Sequence, residues 1–482
     1  MPNQGSIANV IWQAQIKSYY CIYYIMLYKI RLHGITCGSL KPFLDKFMKR
    51  IKIVVVGGGA GGLELVRRLG LHFTPQTHDI LLIDKNRTHI WKPLLHEVAT
   101  GSLDANLDEV GYGGHGIRWG YRFFNGTFSG INRIKKLVLT DPLNDENGNE
   151  VISAREISYD YLVLAVGGVS NDFGIPGVKS HAMFLENRKQ ADKFRARLLN
   201  ACFKVSHSLV ESDNSPVVNL IIVGGGATGV ELSAELLNVA SSLNQYGLTD
   251  FDENRIRLTL IEAGDRLLPA LPEKLSIAAI EELTAIGVDV RLNTVVSEVY
   301  NDKILTENGD IINSDITVWA AGVRGAKYLA DLDGLETDHL DRLIVNEHLQ
   351  TTHDPAVFAM GDCASFTPSG LTRPLPPRAQ AAHQMARAVF KNIISLTEDR
   401  DLRPFIYNDR GSLVSLSRFS TVGSLMGNLI GGRLAIEGRL ARIAYMSLYR
   451  LHLLAIHGWL RGTTLILVGH VNRIARPKLK VH

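Results

Sequence analysis

The sequence has few cysteines and few prolines. Its 482 residues include four cysteines and 16 prolines, beside 44 glycines. Cys21, Cys37, Cys202 and Cys363 are far apart and form no CxxC pair, so we expect no disulfide framework and no bound metal. Many glycines with few prolines favour tight turns over disordered linkers.

Long apolar runs are also missing. A membrane-spanning helix needs roughly 18 or more uninterrupted apolar residues, and the longest candidate, Tyr19 to Tyr28, is much shorter and lies between Lys17 and Lys29. A short apolar stretch with a basic flank could also belong to a truncated targeting segment. We interpret residues 1–47 as an N-terminal extension outside the fold, because Met48 closely precedes the first core strand.

The net charge of +4 conceals an uneven distribution of charge. Residues 51–432 contain 36 Lys and Arg against 46 Asp and Glu, whereas residues 1–50 contain seven against one and residues 433–482 nine against one. The acidic body would repel a phosphate backbone, so we exclude nucleic acid as a partner. The basic ends suit an anionic membrane surface.

A dinucleotide-binding pattern begins at the first apolar strand. Residues 51–56, IKIVVV, are typical of a strand buried on both faces of a parallel sheet, and they lead into a glycine turn at residues 57–62. A helical pattern follows, then a second apolar strand at residues 80–83 that ends in Asp84. In such a unit the turn admits a pyrophosphate to the helix N-terminus, and the acid accepts hydrogen bonds from ribose hydroxyls.

The same pattern occurs a second time. A strand at residues 217–223 leads into the turn at residues 224–229, then a helical pattern and a strand at residues 257–261 that ends in Glu262. One glycine fingerprint is weak support for a nucleotide site, but two copies in the full context are strong support. Two sites suggest that electrons pass between two bound dinucleotides, and the expected pair is FAD and NAD(P)H.

Further strand-like runs at residues 161–168, 316–323 and 356–362 imply that the second domain interrupts the first. We therefore predict an α/β fold with two doubly wound, Rossmann-type dinucleotide-binding domains, the second inserted in the first. A C-terminal amphipathic membrane-binding region is expected to follow.

This C-terminal region is predicted from a helical wheel. From Arg433 to Arg461, basic and apolar side chains fall on opposite sides, as in a helix that lies in an anionic lipid interface. The alternative is a helix that docks its apolar face on the body. Three glycines predict two shorter pieces rather than one continuous helix; they are Gly438, Gly458 and Gly462.

Six segments together resemble the type II NADH dehydrogenases, the single-chain NADH:quinone oxidoreductases of respiratory membranes, and bacterial members in particular. The resemblance extends from Met48 to His482. The segments are GGGAGGLEL at 57–65, WKPLLHEVATGSLD at 91–104, GGGATGVELSAEL at 224–236, VWAAGV at 318–323, GDCA at 361–364 and AQAAHQMA at 379–386.

The resemblance implies a non-proton-pumping respiratory enzyme, peripherally bound to the cytoplasmic face of the inner membrane. NADH would pass a hydride to FAD, and FAD would pass two electrons to a membrane quinone; a homodimer is left open. The alternatives are a soluble NADH oxidase or ferredoxin-type reductase, and an NADH-binding redox sensor or interaction protein. The implied domains are residues 48–175 (FAD-binding, first part), 176–312 (NADH-binding), 313–400 (FAD-binding, second part, with the quinone-site helix) and 401–482 (membrane-anchoring).

For FAD, the resemblance implies a pyrophosphate cradle at the first turn, an adenosine ribose held by Asp84, a ribityl chain bonded to Asp362, and an isoalloxazine near Lys92. His96, in the segment after Lys92, is assigned no catalytic role. The implied FAD contacts are Gly57, Gly58, Gly59, Ala60, Gly61, Asp84, Lys85, Lys92, Asp362, Ala379 and Gln380.

For NADH, the resemblance implies that Gly224, Gly225, Gly226, Thr228 and Gly229 cradle the dinucleotide. A carboxylate at Glu262 accepts two ribose hydroxyls but repels a 2′-phosphate, so NADH is preferred over NADPH. Glu231 takes the catalytic position between nicotinamide and flavin. Its alternative role is to stabilise the helix N-terminus as an acid in the first turn.

The quinone site is implied by the AQAAHQ segment. Small alanines allow close approach of the helix to the flavin, and Gln380 or Gln384 can donate a hydrogen bond to a quinone carbonyl. A tightly packed Ala-rich helix is the alternative. Thiol chemistry is not expected, because residues 84–130 contain no cysteine and Cys202 with Cys363 do not match the pattern of sulfide:quinone oxidoreductases.

Overall fold

The computed structural model describes residues 50–207, 217–240, 243, 255–415, 421–427 and 432–475. The interpretation of residues 1–47 as an extension lies outside the described residues. Eleven helices are described, and they are α1 (Ala60–His72), α2 (Leu95–Thr100), α3 (Ala105–Asp108), α4 (Tyr112–Trp119), α5 (Val178–His181), α6 (Arg188–Ser206), α7 (Ala227–Ala240), α8 (Glu273–Ala285), α9 (Ala379–Thr397), α10 (Gly438–His457) and α11 (Trp459–Ala475).

The described strands are β1 (Ile51–Val56), β2 (His78–Asp84), β3 (Thr88–His89), β4 (Val110–Gly111), β5 (Arg122–Asn125), β6 (Phe128–Asn132), β7 (Leu137–Thr140), β8 (Leu143–Asn144), β9 (Glu150–Ile152), β10 (Arg155–Ser158), β11 (Tyr161–Leu164), β12 (Val169–Ser170), β13 (Val218–Val223), β14 (Ile256–Ile261), β15 (Val288–Arg291), β16 (Val296–Val299), β17 (Lys303–Thr306), β18 (Ile311–Asn313), β19 (Ile316–Trp319), β20 (Val323–Arg324), β21 (Leu343–Ile344), β22 (Gln350–Thr351), β23 (Asp354–Ala359), β24 (Ala364–Ser365), β25 (Gly411–Ser415), β26 (Thr421–Gly427) and β27 (Gly432–Glu437). Short 3₁₀ turns lie at Lys92–Leu94, Lys327–Leu329 and Gly361–Cys363.

The first large sheet has the order β22-β23-β11-β1-β2-β5. Strand β1 pairs in parallel with β11, β11 with β23, and β2 with β5, while β22 joins the edge antiparallel. Ile53 to Val56 are buried, as expected for β-branched residues in a parallel strand that is covered on both faces. The carboxyl end of β1 leads directly into the first glycine turn.

The second sheet has the order β15-β14-β13-β19, and its strands are all parallel. Its residues fall between β11 and β23 of the first sheet, so the predicted insertion of one doubly wound domain in the other is confirmed. Strand β19 pairs with β13 from Leu220↔Ile316 to Val223↔Trp319. The second sheet therefore extends beyond the boundary that was predicted at residue 312.

Helix α2 is held in a shared apolar core. Leu95 and Val98 of α2 belong to the same buried cluster as Phe194 of α6, Leu232 of α7 and Ile222 of β13. This packing fixes α2, which follows the 3₁₀ turn from Lys92, against the helix that leaves the second glycine turn. The short segment between the two nucleotide-binding units thus has a defined position.

The C-terminal region begins with a three-stranded antiparallel sheet, β25-β26-β27. The prediction of a helix from Arg433 is therefore wrong at its start: β27 pairs with β26 from Val422↔Glu437 to Gly427↔Gly432. The predicted division into two helical pieces is correct, because Gly458 adopts a φ of +75° between α10 and α11. None of the helices in the described residues is long and apolar enough to cross a membrane.

Candidate dinucleotide and quinone sites

The first glycine turn is shaped by backbone contacts that exclude side chains. Gly57 has a φ of +101°, and a Cβ there would lie 2.3 Å from the Ala165 carbonyl oxygen. A Cβ at Gly62 would lie 1.9 Å from the Gly57 oxygen, so glycine is required where α1 leaves the turn. A Cβ at Gly59 would meet no atom within 4 Å. The turn is thus tight on its protein side and open at Gly59, as a phosphate cradle requires.

Asp84 fixes this turn from the end of β2. Its Oδ2 accepts a hydrogen bond from the Gly58 amide at 2.7 Å, and its Oδ1 accepts one from the Asn86 amide at 2.7 Å. Helix α1 begins at Ala60 without a side-chain cap at Gly59. First-turn amides of such a helix favour an anion, so the residues present fit the pyrophosphate of a dinucleotide.

The second turn repeats this geometry. Gly224 has a φ of +116°, and a Cβ at Gly229 would lie 2.0 Å from the Gly224 oxygen. Glu262 accepts hydrogen bonds from the Gly225 amide at 2.6 Å and from the Gly264 amide at 2.7 Å. A Cβ at Gly226 would again meet no atom within 4 Å, and Thr228 beside it is exposed.

Lys92 and Asp362 converge near the ends of β11 and β23. The Lys92 Nζ lies 3.8 Å from the position of a Cβ on Gly167, and a Cβ on Gly168 would lie 3.3 Å from the Asp362 Cβ. Burial raises the pKa of the Asp362 carboxyl, against the opposing charges of Lys92 and Arg342. Lys85, which follows Asp84, is exposed at the surface.

Glu231 lies buried in the first two turns of α7. Its Oε1 accepts a hydrogen bond from the Ser415 amide at 3.1 Å, and its Oε2 is 3.6 Å from the His96 Nδ1. Burial lowers the pKa of His96 to about 4, against a hydrogen bond with the Pro93 backbone, so its imidazole is neutral at pH 7. The segment from Lys92 to His96 therefore contacts Glu231 at one end and faces Asp362 at the other.

The two glutamines of the predicted quinone site hold the chain that follows α9. Gln380 Nε2 donates to Asp409 Oδ1 at 3.2 Å and to the Gly411 carbonyl at 2.9 Å. Gln384 Nε2 donates to the Asn408 carbonyl at 2.8 Å, and its Oε1 accepts from the Asn408 amide at 2.9 Å. Ala379 begins the helix. A Cβ on Gly61 would lie 3.0 Å from the Ala382 oxygen, so the alanines of α9 pack directly on α1.

Sequence reasoning missed the side chains that hold the Gly58 carbonyl. Tyr112 Oη donates to this oxygen at 2.8 Å, and His89 Nδ1 lies 2.9 Å from it. Both side chains are buried. They stand far from the turn along the chain, outside any glycine fingerprint, and no local pattern could have identified them.

Cys202 and Cys363 are both buried, on α6 and in the 3₁₀ turn after β23. Burial raises the pKa of Cys202 to about 12 and that of Cys363 to about 11. Both thiols are therefore protonated at neutral pH. Among the described residues, no group of three or more His, Cys, Asp or Glu side chains is arranged to hold a metal ion.

Comparison with known proteins identifies the family. Residues 51–386 match the pyridine nucleotide-disulphide oxidoreductase family. A protein of Haemophilus influenzae named Type II NADH:quinone oxidoreductase is 45% identical over 442 residues, which cover 89% of this chain and 99% of that protein. The chain belongs to the type II NADH:quinone oxidoreductases. The predicted family and its cofactors, FAD and NADH, are thereby confirmed.

A second relative has the same name, and two solved structures share the fold of this type II NADH:quinone oxidoreductase. A Staphylococcus aureus protein of the same name is 31% identical over 392 residues, covering 80% of this chain and 92% of that protein. The fold is shared with NDH2 from Plasmodium falciparum in complex with NADH, at a TM-score of 0.74 and 20% identity, covering 90% of this chain and 100% of that one. It is also shared with the sulfide:quinone oxidoreductase of Aquifex aeolicus, at a TM-score of 0.65 and 19% identity, covering 88% and 95%.

Proposed function

We propose that the first glycine turn holds FAD and that the second holds NADH. The flavin and nicotinamide rings would meet beside Glu231. The enzyme would then reduce a membrane quinone without pumping protons. The observation that carries this proposal is the repeated turn geometry. In each turn one glycine is open, and the amide before it is bonded to the acid that ends the next strand. Two such turns, with the Lys92 to His96 segment beside both sites, suit electron transfer between two dinucleotides.

On the FAD side, the chain binds and orients the cofactor. The open position at Gly59 and the first-turn amides of α1 would receive the pyrophosphate, and Asp84 would bond the adenosine ribose. Asp362 would bond the ribityl chain. When bound there, FAD would supply the redox chemistry, which is to accept a hydride from NADH and to give two electrons to the quinone.

On the NADH side, Glu262 is the specificity group. The amides of Gly225 and Gly264 fix its two oxygens at the end of β14. A carboxylate held there bonds the 2′- and 3′-hydroxyls of NADH, whereas the 2′-phosphate of NADPH would meet a like charge. This geometry supports NADH over NADPH as the electron donor.

Glu231 is proposed to orient the nicotinamide and flavin rings. The Ser415 amide anchors one carboxylate oxygen, so the side chain has a defined direction. The neutral His96 imidazole beside the other oxygen adds no positive charge to the site. We therefore expect Glu231 to act in ring alignment, where small displacements change the rate strongly.

For the quinone, the hydrogen bonds favour Gln384 over Gln380 as the donor. Gln380 Nε2 already donates to two acceptors, which uses both hydrogens of its amide group. Gln384 Nε2 donates to Asn408 and has a second hydrogen on the same nitrogen. Gln380 is therefore proposed to hold the 409–411 segment, and Gln384 to bond a quinone carbonyl.

The C-terminal helices are proposed to rest on an anionic membrane surface, on the cytoplasmic face of the inner membrane. Helix α10 buries His452, Leu453 and Ile456 against the body. On α11 the apolar side chains are exposed, Trp459 at 72% and Leu460 at 75%, and Arg461 next to them is exposed as well. Such a mixture of aromatic, apolar and basic groups suits a lipid interface. Pairing of two copies stays a prediction.

Steady-state NADH oxidation by the purified protein tests the proposed function. We expect a short-chain quinone to increase the rate strongly, and NADPH to replace NADH poorly. NADH oxidation with oxygen that does not depend on quinone would contradict the quinone role. Equal rates with NADH and NADPH would contradict the role of Glu262.

A further inference from the structure

Three imidazoles, those of buried His89 and His452 and half-buried His383, form a continuous row beneath the first glycine turn. His89 Nε2 lies 2.9 Å from His452 Nε2, and His452 Nδ1 lies 3.3 Å from His383 Nε2. The row joins two acceptors, since His89 Nδ1 lies 2.9 Å from the Gly58 carbonyl and His383 Nδ1 contacts a carboxylate oxygen of Glu64. We call His89, His452, His383 and Glu64 the histidine chain.

The histidine chain connects four parts of the molecule. Glu64 lies on α1, His89 on β3, His383 on α9 and His452 on α10. Trp91 stacks on the central imidazole of His452, with ring centroids 4.0 Å apart. Helix α10 therefore supplies the middle of a hydrogen-bonded row that begins at the first glycine turn.

The charge of Glu64, at one end of the histidine chain, is compensated by two arginines. Arg68 Nε donates to Glu64 Oε1 at 2.8 Å, and Arg387 Nε donates to the same oxygen at 3.0 Å. Burial alone would raise the pKa of Glu64, but His383, Arg68 and Arg387 lower it to about 2. The other titratable groups that influence the imidazoles electrostatically are His115 and His457.

The Gly58 carbonyl determines the tautomers of the row, because a carbonyl oxygen can only accept a hydrogen bond. His89 Nδ1 therefore carries the hydrogen that it donates to this oxygen. Burial lowers the pKa of His89 to about 3 and that of His452 well below its ordinary value, so both rings are neutral. His89 Nε2 then accepts from His452 Nε2, and His452 Nδ1 accepts from His383 Nε2.

We propose that His452 is a positioning residue for FAD. Docking of α10 places the His452 imidazole between His383 and His89, where it accepts a hydrogen bond from His383 and donates one to His89. His89 Nδ1–H is thereby oriented to donate to the Gly58 carbonyl. This inference rests on the proposed assignment of the first turn to FAD. His89 and His452 then each have one tautomer, with hydrogen on Nδ1 of His89 and on Nε2 of His452. Docking of α10, which precedes the exposed helix α11, is thereby coupled to the shape of the cofactor turn.

Histidine-selective ¹⁵N NMR of the full-length holoprotein at pH 7.5 tests the proton arrangement directly. Resonances are assigned by single substitutions of the three histidines. Neutral His89 carrying Nδ1–H together with neutral His452 carrying Nε2–H supports the proposal. His89 carrying Nε2–H, or His452 carrying Nδ1–H, overturns it. This measurement does not depend on the FAD assignment.

The coupling to FAD is tested by a double-mutant cycle. We expect His452→Phe to weaken FAD binding by roughly two- to tenfold, the worth of one neutral hydrogen bond, and to add nothing in a His89→Phe background. Leu451→Ala, an exposed change on the same helix, is the matched control and should leave FAD affinity unchanged. An unchanged FAD affinity in His452→Phe, or an effect that adds fully to that of His89→Phe, overturns the coupling.

A further variant separates this inference from the proposed function. Gly59→Val places a side chain in the open part of the first turn, away from the histidine chain. If it abolishes FAD binding, the assignment of the turn to FAD is supported, and the double-mutant cycle then decides the role of His452. If Gly59→Val binds FAD normally, the assignment of the turn is wrong and the coupling of His452 to FAD is overturned with it.

Discussion

Acid unfolding should depend on one buried carboxylate, Glu64. Its side chain has no exposed surface, and its interactions with His383, Arg68 and Arg387 lower its pKa from 4.5 to about 2. Each factor of ten in proton affinity is worth about 1.4 kcal/mol. Ionisation of Glu64 therefore stabilises the folded state by about 3 kcal/mol above pH 4.5, and this contribution is lost as the pH falls from 4.5 toward 2.

Glu64→Gln removes this titration. At pH 7 we expect the variant to be less stable than the wild type by about 3 kcal/mol, since Arg68, Arg387 and His383 lose their carboxylate partner. Below pH 4.5 the wild type should lose stability more steeply, so that the two proteins converge near pH 2.

Urea unfolding followed by tryptophan fluorescence, at a fixed excess of FAD, measures the difference between the two proteins from pH 7 to pH 2.5. Glu281→Gln on α8 is the matched control, because Glu281 is exposed, and its difference from the wild type should be near zero at every pH. A Glu64→Gln difference that stays constant down to pH 2.5 would refute the reasoning.

Four further outcomes are expected. Glu231→Gln should lower the turnover of NADH about tenfold or more through misalignment of the rings, with FAD content unchanged in the absorbance spectrum; unchanged turnover rejects the role of Glu231. Glu262→Gln should raise the KM for NADH and reduce the preference for NADH over NADPH, measured as the ratio of kcat/KM; an unchanged ratio rejects electrostatic selection. Gln384→Leu should raise the KM for quinone without changing the reduction of the flavin by NADH in stopped flow, and an effect on both half-reactions would place Gln384 elsewhere. Serine substitution of exposed α11 residues should release the protein from anionic vesicles in a sedimentation assay; the substituted residues are Trp459, Leu460, Leu467 and Val471. The control, serine at the exposed Ile117 of α4, should leave vesicle binding unchanged. Continued sedimentation of the α11 variant with the vesicles would reject the membrane anchor.

The glycine turns could be predicted because their requirements are local. The conformation of Gly57 and the close approach of Gly62 to the Gly57 oxygen depend only on a strand, a turn and a helix that follow one another along the chain. Asp84 and Glu262 end the next strand of each unit, so parallel pairing brings them back to the turn. Such patterns need no knowledge of the rest of the chain.

Other features depend on contacts between distant segments. His89 and His452 are adjacent in space only because α10 docks on the first domain, and His96 meets Glu231 only because α2 packs on α7. The helical wheel from Arg433 failed at its start because Leu434 to Glu437 can also form an edge strand, and pairing with β26 decides between the two. The periodicity of apolar residues in one segment does not show whether a partner strand is available to pair with it.

Two contacts to the backbone fix the end of α10. Arg67 of α1 donates to the Ala455 carbonyl at 3.1 Å, and His115 of α4 contacts the Ile456 carbonyl at 2.7 Å. Both contacts lie just before Gly458, where the chain turns into α11. The point at which α11 leaves the body is therefore set by contacts that involve none of its own side chains.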